Sequence, residues 1–363
     1  MVIREHVPLA PMTTLAVGGE ARFFVDASDE QTVLEALEWA SRNGVAPTIL
    51  GGGSNVLVSD RGVAGLVVRI RIRGTRELAT TDKANDGAKV VLEVGAGEEL
   101  DALVDRSVLA GQAGIECLSG IPGYVGATPI QNVGAYGQEI AETVVSVRAM
   151  DRTTCETRAF DNAACRFSYR SSIFKESLRD RFVVLTVTLG LSPGGVPAVR
   201  YPELSRELAA RGGNVLSLVD VRRTVLTIRR SKSMVIDASD PNHRSAGSFF
   251  VNPVVTPERA REIEQAAADG TPKMPRFAAD QNVKLSAAWL IENAGFPKGM
   301  SEGSVGLSTR HALAIVNRGG ATAAEILAFA ARVRDAVRAR FGVALAPEPV
   351  LLGFTEQEAS VLN

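Results

Sequence analysis

Cysteine and histidine are both scarce: three of each in 363 residues. Cys117, Cys155 and Cys165 form no C-x-x-C pair, and an odd, sparse count fits a reducing compartment better than a disulfide scaffold. His6, His243 and His311 are not spaced with one another as metal ligands are. Charge of one sign is equally lacking. The 40 Lys and Arg residues against 41 Asp and Glu give a net charge of −1, with no basic or acidic block. Nothing electrostatic therefore draws the chain to nucleic acid or an anionic membrane. No apolar run approaches the roughly 20 residues of a membrane span. The N-terminal MVIREHVPLAPMT carries charges and prolines where a signal peptide needs an apolar stretch. These absences predict a cytoplasmic protein without a metal, a membrane or a nucleic acid as partner. No apolar stripe demands a second subunit, so a monomer is expected.

What is present reads as an ordinary globular chain, 45% hydrophobic and 22% charged, long enough for two or three domains. Such a chain buries a large core without staples. Apolar Val33, Leu34, Leu37 and Ala40 recur at helical spacing over 31–43, and Gly44 stops that helix. APTILGGGSNVLVSD then reads as strand, glycine turn and strand, which makes a small α/β module. KVVLEVGAG predicts another strand, and LDALVDRSVLAGQAG an amphipathic helix with a glycine stop. VVSVRAM and FVVLTVTLGL, within 144–191, have the alternation and β-branched clusters of strands. LSPGGVPAVRYPEL is a turn-rich loop or boundary. Beyond it the pattern predicts helices over 216–230, 287–294 and 321–341, a strand at HALAIVN, and a closing strand in LAPEPVLLGF. The polar run ATTDKANDGAK, 79–89, reads as a surface loop.

Several segments are rich in chemistry. In GGGSNVLVSD, three glycines allow close backbone approach to a bulky anion, and Ser54 and Asn55 add hydrogen-bonding groups. It is not G-x-G-x-x-G opening a helix, so the nicotinamide-type fingerprint does not apply, and a structural hairpin turn is the plain alternative. GIPGYVGATPIQNVGAYGQE packs five glycines and two prolines into twenty residues, with Gln131 and Asn132 offering amides for a heterocycle edge. One nucleotide cofactor spanning both segments accounts for them more simply than two unrelated turns.

Arg170, in CRFSYRSSIFK, offers a planar cationic fork for a carboxylate, or is a plain surface arginine. In IRRSKSMVID, Arg229 and Lys232 suit a diphosphate or a solvated helix face. In HRSAGSFFVNP, Ser248 is no nucleophile elbow with His243 as base, because two phenylalanines and Pro253 follow instead of a helix. A hydroxyl flanked by aromatics is better suited to delivering its proton in a dry site, or simply to bonding the backbone. Glu348 in APEPV is fixed between prolines.

Taken in order, TTLAVGGEARFF, GGGSNVLVSD, GIPGYVGATPIQNVGAYGQE, YRSSIFK, AGSFFVNP, WLIENAGFPKG and APEPV resemble the UDP-N-acetylenolpyruvoylglucosamine reductase family over nearly the whole chain. The resemblance is to its longer subclass, with a tyrosine-bearing substrate loop. It implies an α+β fold: an FAD-binding fold of the vanillyl-alcohol-oxidase type, made of two α/β subdomains over 1–72 and 73–215, then a C-terminal α+β substrate-binding domain over 216–342. A last stretch, 343–363, would return a strand to the active site. The implied reaction is NADPH-dependent reduction of UDP-N-acetyl-enolpyruvoylglucosamine to UDP-N-acetylmuramate, through bound FAD, for peptidoglycan.

By that likeness Arg170 matches the arginine on the enolpyruvyl carboxylate, Ser248 the proton donor and Glu348 the glutamate beside the carboxylate. FAD contacts are implied at Leu50, Gly51, Gly52, Gly53, Ser54, Asn55 and Val56 in the first glycine segment. In the second they are implied at Ile121, Pro122, Gly123, Val125, Gly126, Ala127, Thr128, Gln131, Gly134 and Ala135. Substrate contacts are implied at Tyr136, Tyr169, Tyr201, Arg229, Lys232, Asn252 and Asn293. Val251 stands where some members carry a lysine, and Pro349 and Val350 replace a charged pair, which bears on single nucleotide contacts and not on the reaction. Two other classes stay open from the residues themselves: a flavin oxidoreductase acting on an alcohol or sugar acid, and a nucleotide-binding regulatory protein.

Overall fold

The computed structural model describes residues 1–83, 87–211, 216–267, 271–279 and 281–362. They form two compact units. The first comprises Met1–His6, Arg22–Gly52 and Gly65–Ile236; the second comprises Val7–Ala21, Gly53–Ala64 and Asp237–Asn363. Segment 216–236 thus clusters with the first unit, whereas the sequence boundaries start a new domain at 216.

In the first unit the helix Glu30–Arg42 begins where the Asp29 carboxylate accepts from Thr32 N at 2.7 Å. Val33, Ala36, Leu37 and Ala40 are its buried stripe, and Gly44 leaves it in the left-handed conformation. It lies in one core with the strands Val63–Ile70, Val144–Asp151 and Phe182–Pro193 and the helix Leu100–Leu109. Phe182–Pro193 is buried at eight of its twelve positions and is central in its sheet, paired antiparallel to Val144–Asp151 on one side and to Gly87–Gly95 on the other. The outer strands of that sheet are Thr157–Asp161 and Thr75–Lys83. Two expectations change here. The flanks of the run 79–89 are paired strands rather than loop, with Thr81, Asp82 and Lys83 paired to Lys89, Ala88 and Gly87, and 84–86 lie outside the described residues. The turn-rich stretch after Leu191 leads directly into a helix, Pro202–Arg211, with proline at its first position.

The second unit has its own core around Phe249, Phe250, Trp289, Phe329 and Phe341. Its long helix Ala323–Phe341 starts with a Thr322/Glu325 capping box. The Asp60 carboxylate adds acceptors for Ala323 N and Ala324 N, at 2.7 and 2.9 Å. Gly342 ends the helix at φ 63°. The strand expected at HALAIVN is shorter, Ile315–Asn317, because His311 to Ala314 close a turn in which Ala314 N donates to His311 O. The closing strand is Val350–Leu352, parallel to Val56–Val58.

Candidate active site

The GGGSN segment is not a hairpin turn. The strand before it, Pro47–Leu50, runs parallel to Val63–Ile70, whereas the strand after it, Val56–Val58, pairs with Val350–Leu352. Within the first unit the two glycine-rich segments touch. A Cβ on Gly52 would fall 2.8 Å from the Gly123 Cα, a contact only hydrogen permits, while one on Gly51 would meet nothing within 4 Å. Gly126 is likewise pressed on Ala96, where a Cβ would come within 2.5 Å of the alanine methyl. Glycine loops in mutual contact, with an open side at Gly51, fit the backbone cradle that a dinucleotide's diphosphate needs.

Other residues of the second segment serve the loop itself. Thr128 is buried and its hydroxyl donates to Val125 O at 2.7 Å. Asn132 does not present its amide to a heterocycle. It is buried, Nδ2 donates to Glu139 Oε2 at 2.7 Å and to Ser168 O at 3.0 Å, and Oδ1 accepts from Ala141 N at 3.2 Å. Asp101 carries the start of the segment, accepting from Gly120 N at 2.6 Å and gripping Arg222 through both oxygens.

Arg170 is no plain surface arginine. It lies half-buried at φ 54°, a left-handed conformation rare for a long side chain. Its Nη2 donates to Gly134 O at 2.8 Å and its Nη1 to Asn132 O at 3.4 Å. Further bonds dock the same turn on the glycine segment: Asn132 to Ser168 O, as above, and the buried Ser172 hydroxyl to Ile130 O at 2.7 Å. Lys175 closes it by donating to Arg170 O at 2.9 Å. Tyr169 lies under the guanidinium, 5.7 Å from ring centre to Cζ. Backbone strain held by surrounding bonds is a mark of functional sites.

Beside this, Tyr136 and Tyr201 meet edge to face with centroids 5.7 Å apart. Burial pushes the Tyr136 hydroxyl up to about 12, against the opposing pull of Arg229. Arg229 and Lys232 do not share a solvated helix face. Burial lowers the Arg229 pKa; its Nη2 donates to Met234 O at 2.6 Å and its Nε is buried without a hydrogen-bond partner. Lys232 caps the end of the helix Leu218–Ser231 and pairs with Glu203 at 2.5 Å. The backbone leading to Tyr201 is fastened by Glu116, which is buried and accepts from Gly114 N and Ala198 N, both at 2.7 Å. Asn132, Asp101 and Glu116 were not singled out as anchors in the sequence, because their partners, backbone groups together with the Glu139 and Arg222 side chains, are not revealed by local spacing.

In the second unit, the segment bearing Ser248 runs between two others. On one side Phe249 N donates to Leu313 O at 2.7 Å and Asn317 N to Arg244 O at 3.0 Å. On the other, Val251 N donates to Ala346 O at 3.0 Å and Glu348 N to Phe249 O at 2.9 Å. Ser248 and Glu348 are thereby brought into adjacent segments. Phe249 and Phe250 are fully buried, with rings 5.3 Å apart, and Ser248 is half-buried. The Asn55 amide donates to Glu348 O at 3.2 Å and Val350 N to Asn55 O at 3.0 Å, so the end of the GGGSN segment holds the APEPV strand. His243 Nδ1 faces Asp240 O at 2.6 Å, a backbone partner three residues before it. Asn252 Oδ1 accepts from Ala287 N at 2.9 Å and Asn293 Nδ2 donates to Trp289 O at 2.8 Å; both amides bond the helix Ala287–Asn293. All three cysteines are free, and burial pushes the Cys117 and Cys165 thiols up to about 12, far from reactive thiolates. Among the described residues no group of three or more His, Cys, Asp and Glu is placed to hold a metal ion, and no helix is long and apolar enough to cross a membrane.

Residues 21–157 match the model of an FAD binding domain, and 240–352 that of the UDP-N-acetylenolpyruvoylglucosamine reductase C-terminal domain. A curated UDP-N-acetylenolpyruvoylglucosamine reductase from Thermobifida fusca (strain YX) is 46% identical over 356 residues, 97% of this chain and 98% of the relative. The chain belongs to this reductase family. A second member, from Saccharopolyspora erythraea, is 47% identical over 351 residues, 95% of this chain and 94% of its own. The crystal structure of the Thermus caldophilus reductase superposes with a TM-score of 0.64 at 25% identity, over 97% of this chain and 100% of that one. The protein is therefore an FAD-dependent oxidoreductase. Its fold is α+β, with an FAD binding domain matched over 21–157 and the reductase family's C-terminal domain over 240–352.

Proposed function

We propose that this chain reduces UDP-N-acetyl-enolpyruvoylglucosamine to UDP-N-acetylmuramate with NADPH as electron donor, in the cytoplasm, as a step of peptidoglycan synthesis. Beyond family membership, the reading is carried by the pairing of the Ser248 segment with the Glu348 segment, through the Glu348 N to Phe249 O bond. Segments 1–72 and 73–215 serve the cofactor, 216–342 the substrate, and 343–363 delivers Glu348. The glycine segments, from Leu50 to Val56 and from Ile121 to Ala135, hold FAD through their backbone. FAD held there, once reduced by NADPH, would supply hydride chemistry toward the terminal methylene carbon of the enolpyruvyl group.

The chain's own side chains then manage charge and the second hydrogen. Negative charge develops toward the substrate carboxylate, and Arg170 neutralises it. Its guanidinium is already fixed by the Gly134 and Asn132 carbonyls, so little reorganisation accompanies the change in charge. Ser248 gives its hydroxyl proton to the adjacent carbon, a transfer favoured by the basicity of an enolate. Glu348 acts while sharing a proton, because a bare carboxylate beside an enolate repels it. Tyr136, Tyr169, Tyr201, Asn252 and Asn293 contact the substrate, and Arg229 and Lys232 take its diphosphate.

One experiment tests the whole reading. The purified protein should be yellow, be bleached by NADPH under anaerobic conditions, and regain its colour on addition of the UDP-enolpyruvyl sugar. A bleached protein that stays bleached with that sugar is not this enzyme, and a protein that binds no flavin is a regulatory binder instead.

A further inference from the structure

We propose that Glu203 sets the affinity of this enzyme for its diphosphate ligands by occupying Lys232 when they are absent. The inference rests on the assignment of Lys232 to the diphosphate. Glu203 lies in the first turn of the helix Pro202–Arg211, two residues beyond Tyr201, and its carboxylate meets Lys232 Nζ at 2.5 Å. The two side chains are 28% and 32% exposed, so the pair is neither deeply buried nor freely solvated.

The surroundings suit an anion of larger charge than one carboxylate. Arg229, one helical turn before Lys232, spends Nη2 on the Met234 carbonyl and keeps a buried Nε without a partner. Among the described residues no carboxylate is in hydrogen-bonding contact with it, although the charge of Asp101 acts on it from further away. Tyr136 and Tyr201 stand edge to face alongside, and the charge of Glu203 is felt by both hydroxyls. A diphosphate drawn to Lys232 meets one of two situations. Either it displaces the Glu203 carboxylate, or it shares the ammonium with a like charge at close range. Both oppose binding, and both are relieved when Glu203 is neutral.

A merely structural clasp has the opposite consequence. If the pair only fastens the helix that follows Tyr201, neutralising Glu203 loosens that helix and weakens the site. The sign of the effect therefore decides.

The test is titration calorimetry of uridine 5′-diphosphate into the FAD-loaded enzyme. Glu203→Gln, which keeps shape and hydrogen-bonding capacity, should bind about two- to fivefold more tightly than wild type, the scale of one partly exposed ion pair. Glu207→Gln removes the same charge one turn further along the same helix and should change binding less than about twofold. Lys232→Met should weaken binding about tenfold, and in that background Glu203→Gln should bring no gain. Wild-type or weaker binding by Glu203→Gln, or equal tightening by Glu207→Gln, overturns the proposal while leaving the role of Lys232 intact. A Lys232→Met enzyme that binds uridine diphosphate like wild type overturns the assignment of Lys232 itself, and the proposal with it.

Discussion

The Glu348 amide donates to the Phe249 carbonyl at 2.9 Å, which ties the residue between two prolines near the C-terminus to the backbone immediately after Ser248. Ser248 is preceded by Gly247 at φ 71° and followed by two fully buried phenylalanines. The serine is thus presented by a backbone with little freedom, and its replacement by alanine removes the hydroxyl without disturbing the frame. Ser248→Ala should slow reoxidation of the reduced enzyme by the UDP-enolpyruvyl sugar about 10²- to 10⁴-fold, with reduction by NADPH close to wild type. Stopped-flow absorbance separates the two halves. Reoxidation at wild-type speed ends the case for Ser248 as donor.

Glu348→Gln addresses the carboxyl itself. Glutamine keeps the backbone bonds to Phe249 and Asn55 and the shape of the side chain, but cannot lose a proton. The pH profile of flavin reoxidation should therefore change shape, not only height. Superimposable profiles for the two proteins would show that the Glu348 proton takes no part.

Gly52→Ala tests the cradle. The added methyl would sit 2.8 Å from the Gly123 Cα, and a backbone atom cannot yield as a side-chain tip does. The two glycine segments must separate, so the purified variant should carry well under half the wild-type flavin and lose about 1–3 kcal/mol of stability. Flavin-to-protein absorbance ratios and thermal melts report both. Full flavin content would mean that the contact between the loops is not needed for the cofactor.

Asp101→Asn has a pH signature. Burial pushes the Asp101 carboxyl up, but the Arg222 hydrogen bonds, the Gly120 N–H and the charges of Arg222 and Arg229 outweigh it and hold the pKa below its ordinary value. A depressed folded pKa means stability that is present above the unfolded value and lost as pH falls through the folded one. Because the Asp101 side chain is partly exposed and screened, Asp101→Asn should cost only about 0.5–1 kcal/mol at neutral pH, and the gap to wild type should close below about pH 4. Urea melts at pH 7 and pH 3 measure it; a gap that is constant with pH would assign the loss to packing alone.

Asn132→Ala removes a hub. Glu139, Ser168 O and Ala141 N each lose a partner, and alanine must occupy φ 44°. With the YRSS turn loosened, Arg170 should be misplaced. Turnover with the enolpyruvyl sugar should fall at least about tenfold while flavin reduction by NADPH changes little. Equal losses in both half-reactions would indicate general collapse of the loop and not a positioning role.

The sequence by itself determined the elements whose causes are local. The helix Glu30–Arg42 follows from apolar spacing and a glycine stop, to which the structure adds the Asp29 cap. The strands Val144–Asp151 and Phe182–Pro193 follow from β-branched alternation, and the order of the motifs was enough to indicate the family. Tertiary structure decided what depends on distant partners. Nothing within GGGSN says that its flanking strands join different sheets, since strand pairing is chosen by long-range register. Nothing near Asn132, Glu116 or Asp101 shows that each serves buried backbone N–H or carbonyl groups elsewhere. Arg170, Arg229 and Lys232 could be named as cations from their neighbours in sequence. Whether each stands free, lies on carbonyls or faces Glu203 is set by burial, because a charge removed from water must take whatever partners the fold supplies.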